Sequence, residues 1–255
     1  MTMDRADKVL AERFGSRSKA ANELIRGRVL KNGKPLKPSD LIANSEGLEF
    51  RKERSFVSMG GYKLERLFST CPISLDGKVA ADIGASTGGF TDCMLQHGAK
   101  KVYAVDVGEN LLDQSLQNNP CVVAMDHQNA RYLTKEQFPE PIQAISIDVS
   151  FISIKLILPV LSSLTDENGE IYALIKPQFE SGSIGKSGIL KDSKKRSEIV
   201  FGILSTAKEL GWYPHGFINA PIVEKKNVEY MVWWKKTPIG SLTNEQIETA
   251  SNFLQ

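Results

Sequence analysis

Residues 79–90 read VAADIGASTGGF, an apolar run that passes directly into a glycine-rich turn. Four of the first five residues are apolar, which is typical of a strand buried on both faces of a parallel sheet. Glycines at 84, 88 and 89 then allow a tight turn into a following helix. The stretch therefore predicts the first strand of an α/β sheet and the loop after it.

Similar apolar runs recur along the chain and alternate with helical patterns. The runs lie at 79–83, 102–105, 121–125, 144–147 and 171–175, and the helical patterns lie near 89–97, 109–117, 153–164 and 193–210. Two later runs, GFINA at 216–220 and VEYMVWW at 228–234, supply two more strands. This alternation predicts an α/β fold with a doubly wound, mostly parallel sheet. Ligands of such sheets bind at the carboxyl ends of the strands.

The glycine loop indicates a nucleoside cofactor that carries no phosphate. Asp106 ends the next strand, 22 residues after Gly84, where its carboxylate can accept hydrogen bonds from a ribose diol. The pattern G-x-S-x-G-G differs from the dinucleotide pattern, and Asp82 would repel a pyrophosphate but attract an ammonium group. These features favour S-adenosylmethionine, although a glycine turn before a helix also occurs in purely structural roles. The expected contacts are Asp82, Gly84, Ala85, Ser86, Thr87, Gly88, Gly89 and Asp106.

The composition is that of a globular chain. Its 255 residues are 41% hydrophobic and 24% charged, enough to bury a sizeable core. No apolar run approaches the roughly 18 residues of a membrane span, and the charged N-terminus is unlike a signal peptide. We therefore expect a cytoplasmic protein that has no membrane partner.

Positive charge is concentrated in the N-terminal quarter. Residues 1–60 hold 13 Lys and Arg against 8 Asp and Glu, whereas the rest of the chain is net acidic. Apolar spacing predicts helices over 5–14 and 16–26, and Asn32-Gly33 predicts a hairpin after a strand at 29–31. The asymmetry indicates a polyanionic partner, with a solvated basic surface as the alternative.

This N-terminal pattern resembles the small RNA-binding domain first described in ribosomal protein S-four. The similarity covers roughly residues 3–50 and rests on SRSKAANELIRGRVLKNGKPLKPSD. It implies an α+β domain over 1–53 that contacts structured RNA, a linker over 54–60 and the larger domain over 61–255. The basic residues expected at the RNA are Arg17, Lys19, Arg26, Arg28, Lys31 and Lys34.

Four charged residues are expected at the carboxyl edge of the sheet. Asp148 and Lys176 end two strands, and Glu229 begins the last strand, which we expect to be antiparallel. Lys63 lies on a helix that leads into the domain. Each residue alone is as well explained by an ordinary surface ion pair, but the four together predict a catalytic site.

The set resembles the Lys-Asp-Lys-Glu tetrad of the FtsJ/RrmJ-type ribose methyltransferases. With the N-terminal domain, residues 3–235 resemble the TlyA family of rRNA methyltransferases, through GGYKL, DIGASTGGFTDCML, VYAVDVG, DVSFIS and IKPQFE. The resemblance implies a Rossmann-like class I methyltransferase fold and methyl transfer from S-adenosylmethionine to the 2′-hydroxyl of a cytidine in ribosomal RNA, within ribosomal subunits. It also implies that Asp126 and Asn129 lie on the adenine side of the cofactor. Met59 departs from the family, in which arginine is common at this position.

The chemistry assigns a role to each member of the tetrad. A ribose hydroxyl must lose its proton as it attacks the methyl group, and a lysine of depressed pKa can take that proton. We expect Lys176 to be the base and Asp148 to orient it. Lys63 then stabilises the developing alkoxide, and Glu229 holds the lysines and the ribose in register.

The cysteines and histidines give no sign of a metal site. The spacing of Cys71, Cys93 and Cys121 fits neither a disulfide framework nor a zinc site, so we expect buried small side chains. The three histidines show no metal or triad spacing either. No metal is therefore expected.

Two other functions compete with the enzyme. One is an RNA-binding assembly factor that has lost its chemistry, which would have no chemical reason to keep all four charged residues. The other is a membrane-active hemolysin, a name often given to the family. Lysis requires an apolar span or a strongly amphipathic surface helix, and the sequence shows neither.

Overall fold

The computed structural model describes residues 3–25, 27–50, 56–182, 188–221 and 226–251. The chain divides into two compact units, residues 1–55 and 56–255. The sequence predicted a linker over 54–60, but residues 56–60 belong to the second unit, where Phe56 is buried. Residues 51–55 lie outside the described part of the chain.

The N-terminal unit is a small α+β structure. Its helices are α1 (Ala6–Val9), α2 (Ala11–Phe14) and α3 (Arg17–Ile25). Its short strands are β1 (Asp4–Arg5), β2 (Val29–Lys31), β3 (Lys34–Pro35), β4 (Leu41–Ile42) and β5 (Leu48–Phe50). Strands β1 and β4 form one antiparallel pair, and β3, β2 and β5 form an antiparallel sheet in that order.

The predicted helix over 5–14 is two short helices in the structure. Leu10 adopts φ −90° and ψ 0°, ends α1 and begins α2, while its buried side chain joins the core of the unit. The apolar spacing therefore located the buried face but not the break between the helices. The hairpin is confirmed, because Asn32 and Gly33 have φ of 53° and 74° and join the paired residues Lys31 and Lys34.

The second unit contains a seven-stranded sheet flanked by helices. Its strands are β6 (Val79–Ile83), β7 (Lys101–Val105), β8 (Val122–Met125), β9 (Ile142–Ile147), β10 (Thr165–Ile175), β11 (Tyr213–Asn219) and β12 (Tyr230–Lys235). Its helices are α4 (Met59–Thr70), α5 (Gly89–Gln96), α6 (Gln114–Gln117), α7 (Leu158–Leu164), α8 (Pro177–Glu180), α9 (Ser193–Glu209) and α10 (Asn244–Ser251).

The strand order is β11-β12-β10-β9-β6-β7-β8. The pairs from β10 to β8 are parallel, and β12 is antiparallel to both β10 and β11. Alternate residues of β6 pack into cores on opposite faces, with Val79, Ala81 and Ile83 in one and Ala80 in the other. This arrangement confirms the predicted α/β fold with a mostly parallel, doubly wound sheet.

Two predicted helices are shorter than the sequence indicated. The pattern over 109–117 forms only α6, which begins after Asp113, whose side chain accepts a hydrogen bond from the backbone of Ser115. The pattern over 153–164 forms a 3₁₀ turn at Ile154–Leu156 before α7. In both segments apolar residues face the core from irregular backbone, which periodicity alone does not distinguish from helix.

Helix α4 packs closely on the start of α5 because both helices present glycine at the contact. A Cβ on Gly61 would lie 2.8 Å from the carbonyl oxygen of Gly89. A Cβ on Gly89 would lie 2.1 Å from Ser58 Oγ. This close approach fixes α4 beside the glycine loop and so determines where Lys63 lies.

Within the described residues, no helix is both long enough and apolar enough to cross a membrane.

Candidate active site

A cavity of about 180 Å³ lies at the carboxyl edge of the parallel strands. Its lining comes from the glycine loop after β6, from the segments that follow β9 and β10, and from the start of α4. The lining residues are Ser58, Gly60, Gly84, Ala85, Ser86, Thr87, Gly89, Phe90, Asp148, Ser150 and Lys176. The structure therefore brings the predicted cofactor loop and two members of the predicted tetrad to one space.

The backbone of the glycine loop adopts the predicted tight turn. Gly84, Ser86 and Gly88 have φ of 82°, 48° and 91°, in the left-handed region. A Cβ on Gly84 would lie 2.6 Å from the carbonyl oxygen of Asp148. Gly84 thus allows the loop to contact the segment that carries Asp148, which is a packing requirement that exists without any ligand.

Asp82 does not line the cavity, although the sequence predicted that it would contact the cofactor. Its fully buried carboxylate accepts hydrogen bonds from Thr91 N (2.9 Å), Thr91 Oγ1 (2.7 Å) and Ser146 Oγ (2.7 Å). Burial raises the pKa of Asp82 to about 6. Asp82 therefore joins β6 to β9 and to the first turn of α5, and its effect on the cofactor loop is indirect.

Asp106 lies beside the glycine loop, at the end of β7, where the sequence placed it. One carboxylate oxygen accepts a hydrogen bond from Ser86 N (2.8 Å) and the other accepts one from Gly108 N (2.9 Å). Gln128 N donates to the carbonyl of Asp106, so the loop after β8 packs on the loop after β7. The predicted cofactor residues of the two loops are thereby connected to the glycine loop.

Asp126 and Asn129 lie on this second loop but do not line the cavity. Asp126 Oδ2 accepts a hydrogen bond from Asn110 N (3.0 Å), and Asn129 Oδ1 accepts one from Arg131 N (3.0 Å). Asp126 therefore joins its loop to the loop after β7, and Asn129 stabilises its own loop. Gly88 does not line the cavity either. It packs on Leu116, which a Cβ at this position would contact.

The first pair of residues predicted to be catalytic is Lys176 and Asp148. Lys176 Nζ lies 2.5 Å from Asp148 Oδ1 and donates a hydrogen bond to Ser150 Oγ (3.0 Å). The two side chains are only 11% and 22% exposed, and both residues line the cavity. The amine is thus held at the end of β10 by two groups on the segment after β9.

The second pair is Lys63 and Glu229, whose Nζ and Oε2 atoms lie 2.7 Å apart. Glu229 immediately precedes β12, and because that strand is antiparallel its start lies at the carboxyl edge of its neighbour β10. Gln178 Nε2 donates a hydrogen bond to Glu229 Oε1 (2.9 Å). Since Gln178 lies two residues after Lys176, it connects the segments that carry the two pairs.

Sequence reasoning missed several polar residues and an aromatic pair at this edge. Ser58 and Ser150 line the cavity, and Gln178 contacts Glu229. Phe151 has φ 64°, is 90% exposed and lies 4.7 Å from the ring of Phe179, centroid to centroid. Except for Ser58, which immediately precedes α4, these residues lie in the motifs DVSFIS and KPQF, and their place directly after strand ends was the signal.

The predicted RNA-binding residues fall into two groups. Lys19, Lys31 and Lys34 are exposed on the N-terminal unit, and Arg17 is exposed but lies 3.2 Å from Asp7. Arg28 is buried and pairs with Glu23 at 2.8 Å, so its location does not fit a phosphate contact. Arg26 lies outside the described residues.

The chain resembles known proteins over most of its length. The sequence profile of the FtsJ-like methyltransferase family matches residues 56–237. The 16S/23S rRNA (cytidine-2'-O)-methyltransferase TlyA of Mycobacterium tuberculosis is 36% identical over 92% of this chain and 90% of its own. Hemolysin A of Brachyspira hyodysenteriae is 40% identical over 85% of this chain and 92% of its own.

Solved structures extend this similarity to the fold. A crystal structure from Lactococcus lactis, called a "putative hemolysin", has a TM-score of 0.72 and 41% identity, and it covers 78% of this chain and 97% of its own. The matched profile spans the sheet, the glycine loop and both pairs of predicted catalytic residues. The chain belongs to the FtsJ-like methyltransferase family.

Proposed function

We propose that the protein transfers a methyl group from S-adenosylmethionine to the 2′-hydroxyl of a cytidine in ribosomal RNA. The observation that carries the proposal is the single cavity that the glycine loop shares with Lys176 and Asp148. A methyl donor held on that loop and a hydroxyl held at the lysine would meet in one space. The RNA (cytidine-2'-O)-methyltransferase named among the relatives supports the choice of substrate.

The residues of the loop fit this cofactor. The lining offers backbone from Gly84 to Thr87 and contains no Lys or Arg of the kind that holds a pyrophosphate, other than Lys176. Asp106 does not line the cavity itself but accepts a hydrogen bond from Ser86 N, and in this proposal its carboxylate also accepts hydrogen bonds from the ribose hydroxyls. In this proposal the loop holds the amino acid end, and the loops of Asp106 and Asp126 hold the nucleoside. When bound, S-adenosylmethionine supplies an electrophilic methyl group on its sulfonium.

Lys176 acts as the base in this reaction. In its amine form it would accept the proton of the 2′-hydroxyl, whose oxygen would bond to the methyl carbon as the bond from that carbon to the donor sulfur breaks and leaves the neutral thioether. Asp148, 2.5 Å away, stabilises the ammonium that results, and Ser150 fixes the direction of the amine. Proton transfer to a positioned group contributes about 10² to 10⁴ in rate.

Lys63 stabilises the negative charge that develops on the ribose oxygen, and Glu229 positions Lys63. Glu229 holds the ammonium of Lys63, and neither residue lines the cavity itself. In this proposal the ammonium faces the oxygen that loses its proton once the substrate is bound. Gln178 holds Glu229 from the other side, and it is only 7% exposed. Its Oε1 has no hydrogen-bond partner within the described residues, which leaves one buried acceptor near the site.

The exposed aromatic pair at the edge of the site fits a nucleotide substrate. Phe151 follows the cavity residue Ser150 and projects into solvent against Phe179. A non-glycine residue with positive φ is held there by its surroundings, at some cost in strain. An exposed ring beside the catalytic lysine offers a face on which a base removed from its helix can stack.

The N-terminal unit would contribute the contacts to structured RNA. Lys19, Lys31 and Lys34 are exposed and offer three ammonium groups to phosphates. Contacts of this kind supply affinity that falls with increasing salt. Ribosomal subunits as substrate would place the reaction in the cytoplasm.

The test is transfer of labelled methyl from S-adenosylmethionine to ribosomal subunits that lack the modification, followed by mass spectrometry of the nucleosides. The proposal expects label only as 2′-O-methylcytidine. Label on a base or on another nucleoside would contradict it. Subunits that bind the protein but take up no label would favour the RNA-binding assembly factor instead.

A further inference from the structure

Three side chains that the proposed reaction does not use lie together between α4 and α5. Cys93 and His97 are four residues apart, so the end of α5 presents them on the same side. Glu65, on α4, faces them across the helix contact. Within the described ranges, this is the one place where three ligand atoms from His, Cys, Asp or Glu side chains lie within 4.8 Å of one another.

The three donor atoms are close to the spacing that a small cation requires. His97 Nε2 lies 2.6 Å from Glu65 Oε2, and Cys93 Sγ completes the group. With bonds of about 2.0 to 2.3 Å, a tetrahedral Zn²⁺ places its ligand atoms about 3.3 to 3.6 Å apart. Shifts of about 1 Å in the side chains, within reach of rotations about their χ angles, bring the group to that geometry.

The donor set selects the class of ion. A thiolate and an imidazole favour Zn²⁺ over Mg²⁺ or Ca²⁺, which prefer oxygen ligands. Cys93 is fully buried, whereas the side chains of His97 and Glu65 are 19% and 28% exposed. The exposed side gives an ion a route of entry and leaves a fourth position for water. Binding releases the thiol proton of Cys93 to solvent.

His97 and Glu65 form a hydrogen-bonded pair, and the sulfur of Cys93, one helical turn before His97 on α5, lies within 4.8 Å of both donor atoms. The edge of the Phe68 ring packs on the imidazole, with centroids 4.8 Å apart, and keeps His97 against α4. The imidazole is thereby held in place for both neighbours.

We propose that Glu65, Cys93 and His97 bind one Zn²⁺ ion, which cross-links α4 to α5. The site is separate from the catalytic cavity, but Glu65 lies two residues after Lys63 on α4. Helix α5 begins directly after the glycine loop. A bound ion would therefore stabilise the contact between the helix that carries Lys63 and the helix that follows the cofactor loop.

The test uses the full-length chain, freed of metal by chelation, and titrates it with CoCl₂ as a spectroscopic probe and with ZnCl₂. The proposal expects one Co²⁺ per chain and an absorption band from thiolate-to-cobalt charge transfer, displaced by Zn²⁺. Cys93→Ala should abolish the band, and Glu65→Gln and His97→Gln should each weaken binding by at least about tenfold. Zn²⁺ should raise the thermal unfolding midpoint of the native chain and leave that of Cys93→Ala unchanged.

Matched controls separate this site from other thiols. Cys71→Ser and Cys121→Ser remove the two partly exposed cysteines and should keep the band. Because Cys93 is buried and His97 packs on Phe68, the folding of Cys93→Ala and His97→Gln is checked by circular dichroism, and Glu65→Gln tests the site without altering the core. Absence of stoichiometric Co²⁺ binding by the native chain would overturn the proposal. So would a band that survives Cys93→Ala or that disappears in Cys71→Ser or Cys121→Ser.

Discussion

The two edges of the seven-stranded sheet carry similar charged groups but differ in what those groups face. At the carboxyl edge, a cavity of about 180 Å³ is lined by the glycine loop, Asp148 and Lys176. At the amino edge, a larger cavity of about 410 Å³ is lined by Lys78, Glu170 and Lys235, among others. Strand β12 runs between the two edges, because Glu229 precedes its start at the carboxyl edge and Lys235, its last residue, lines the amino-edge cavity.

From this difference we expect the location of the chemistry to follow strand direction and not cavity size. The carboxyl edge combines a backbone loop that can hold a ligand with lysines held by carboxylates. The amino edge has a comparable ion pair, with Lys78 Nζ 3.3 Å from Glu170 Oε1, but its cavity includes no glycine loop. Parallel strands direct their following loops to one edge, and this is the edge at which open α/β sheets bind ligands.

A matched pair of lysine substitutions tests the difference between the two edges of the sheet. The side chains of Lys63 and Lys78 are 22% and 24% exposed, and each pairs with a glutamate. Lys63→Ala should lower kcat for methyl transfer by about 10² to 10³, because it removes charge that stabilises the developing alkoxide. Lys78→Ala should leave kcat within about twofold. Single-turnover methyl transfer to ribosomal subunits measures both.

If both variants lost kcat equally while circular dichroism showed both chains folded, the two lysines would act through stability alone. If both variants retained kcat, Lys63 would not belong to the catalytic group.

A second prediction concerns Asp82, the buried carboxylate near the carboxyl edge of the sheet. Burial raises the pKa of Asp82 from 3.8 to about 6, so ionisation of Asp82 opposes folding. The protonated carboxyl makes its full contribution to the free energy of unfolding below about pH 3.8. That contribution is lost as the pH rises through 6, and the loss is roughly 3 kcal/mol at most. Asp82→Asn replaces one of the two carboxylate oxygens that accept from Thr91 and Ser146 by an amide donor and should be less stable at pH 4. The deficit should shrink between pH 4 and pH 7.

Denaturant unfolding of both chains at several pH values measures this change. A stability difference between the two chains that is independent of pH would contradict the raised pKa of Asp82.

A smaller effect is expected at Gln178, which holds Glu229. Gln178→Ala should lower kcat about tenfold, or about 1.4 kcal/mol in the barrier, and leave KM for S-adenosylmethionine nearly unchanged. Gln143 is the matched control, because it lines the amino-edge cavity and accepts a hydrogen bond from Val79 N (3.1 Å). Gln143→Ala should change stability but not kcat. If both variants lost activity in proportion to their stability, Gln178 would have no positioning role.

The sequence located the strand ends but not the local partners of the residues there. Lys176, Asp148 and Asp106 were predicted at the carboxyl edge because apolar runs define strand ends and parallel strands end together. Asp82 was misjudged, because an acidic residue inside an apolar run gives no sign of whether it faces a cavity or buried hydroxyl groups.

Arg28 and Gln178 show this limit of the sequence analysis: Arg28 was wrongly included among the site residues, and Gln178 was overlooked. Arg28 looked like one of a series of RNA-facing cations, but it is buried against Glu23, five residues earlier. Gln178 carried no charge and matched no catalytic type, yet it contacts Glu229 across 51 positions of sequence. Pairings of this kind depend on tertiary packing, which cannot be predicted from hydrophobic periodicity or from the pattern of charges.

The measurement that tests the central claim most directly compares methyl transfer by the native chain, Lys176→Ala and Lys236→Ala. Lys236 lines the amino-edge cavity and serves as the control. The account predicts 2′-O-methylcytidine in ribosomal RNA from the native chain and from Lys236→Ala. It predicts a loss of about 10² to 10⁴ in rate for Lys176→Ala, with S-adenosylmethionine binding retained. Turnover by Lys176→Ala at the native rate would contradict the assignment of the base and of the carboxyl edge as the catalytic one.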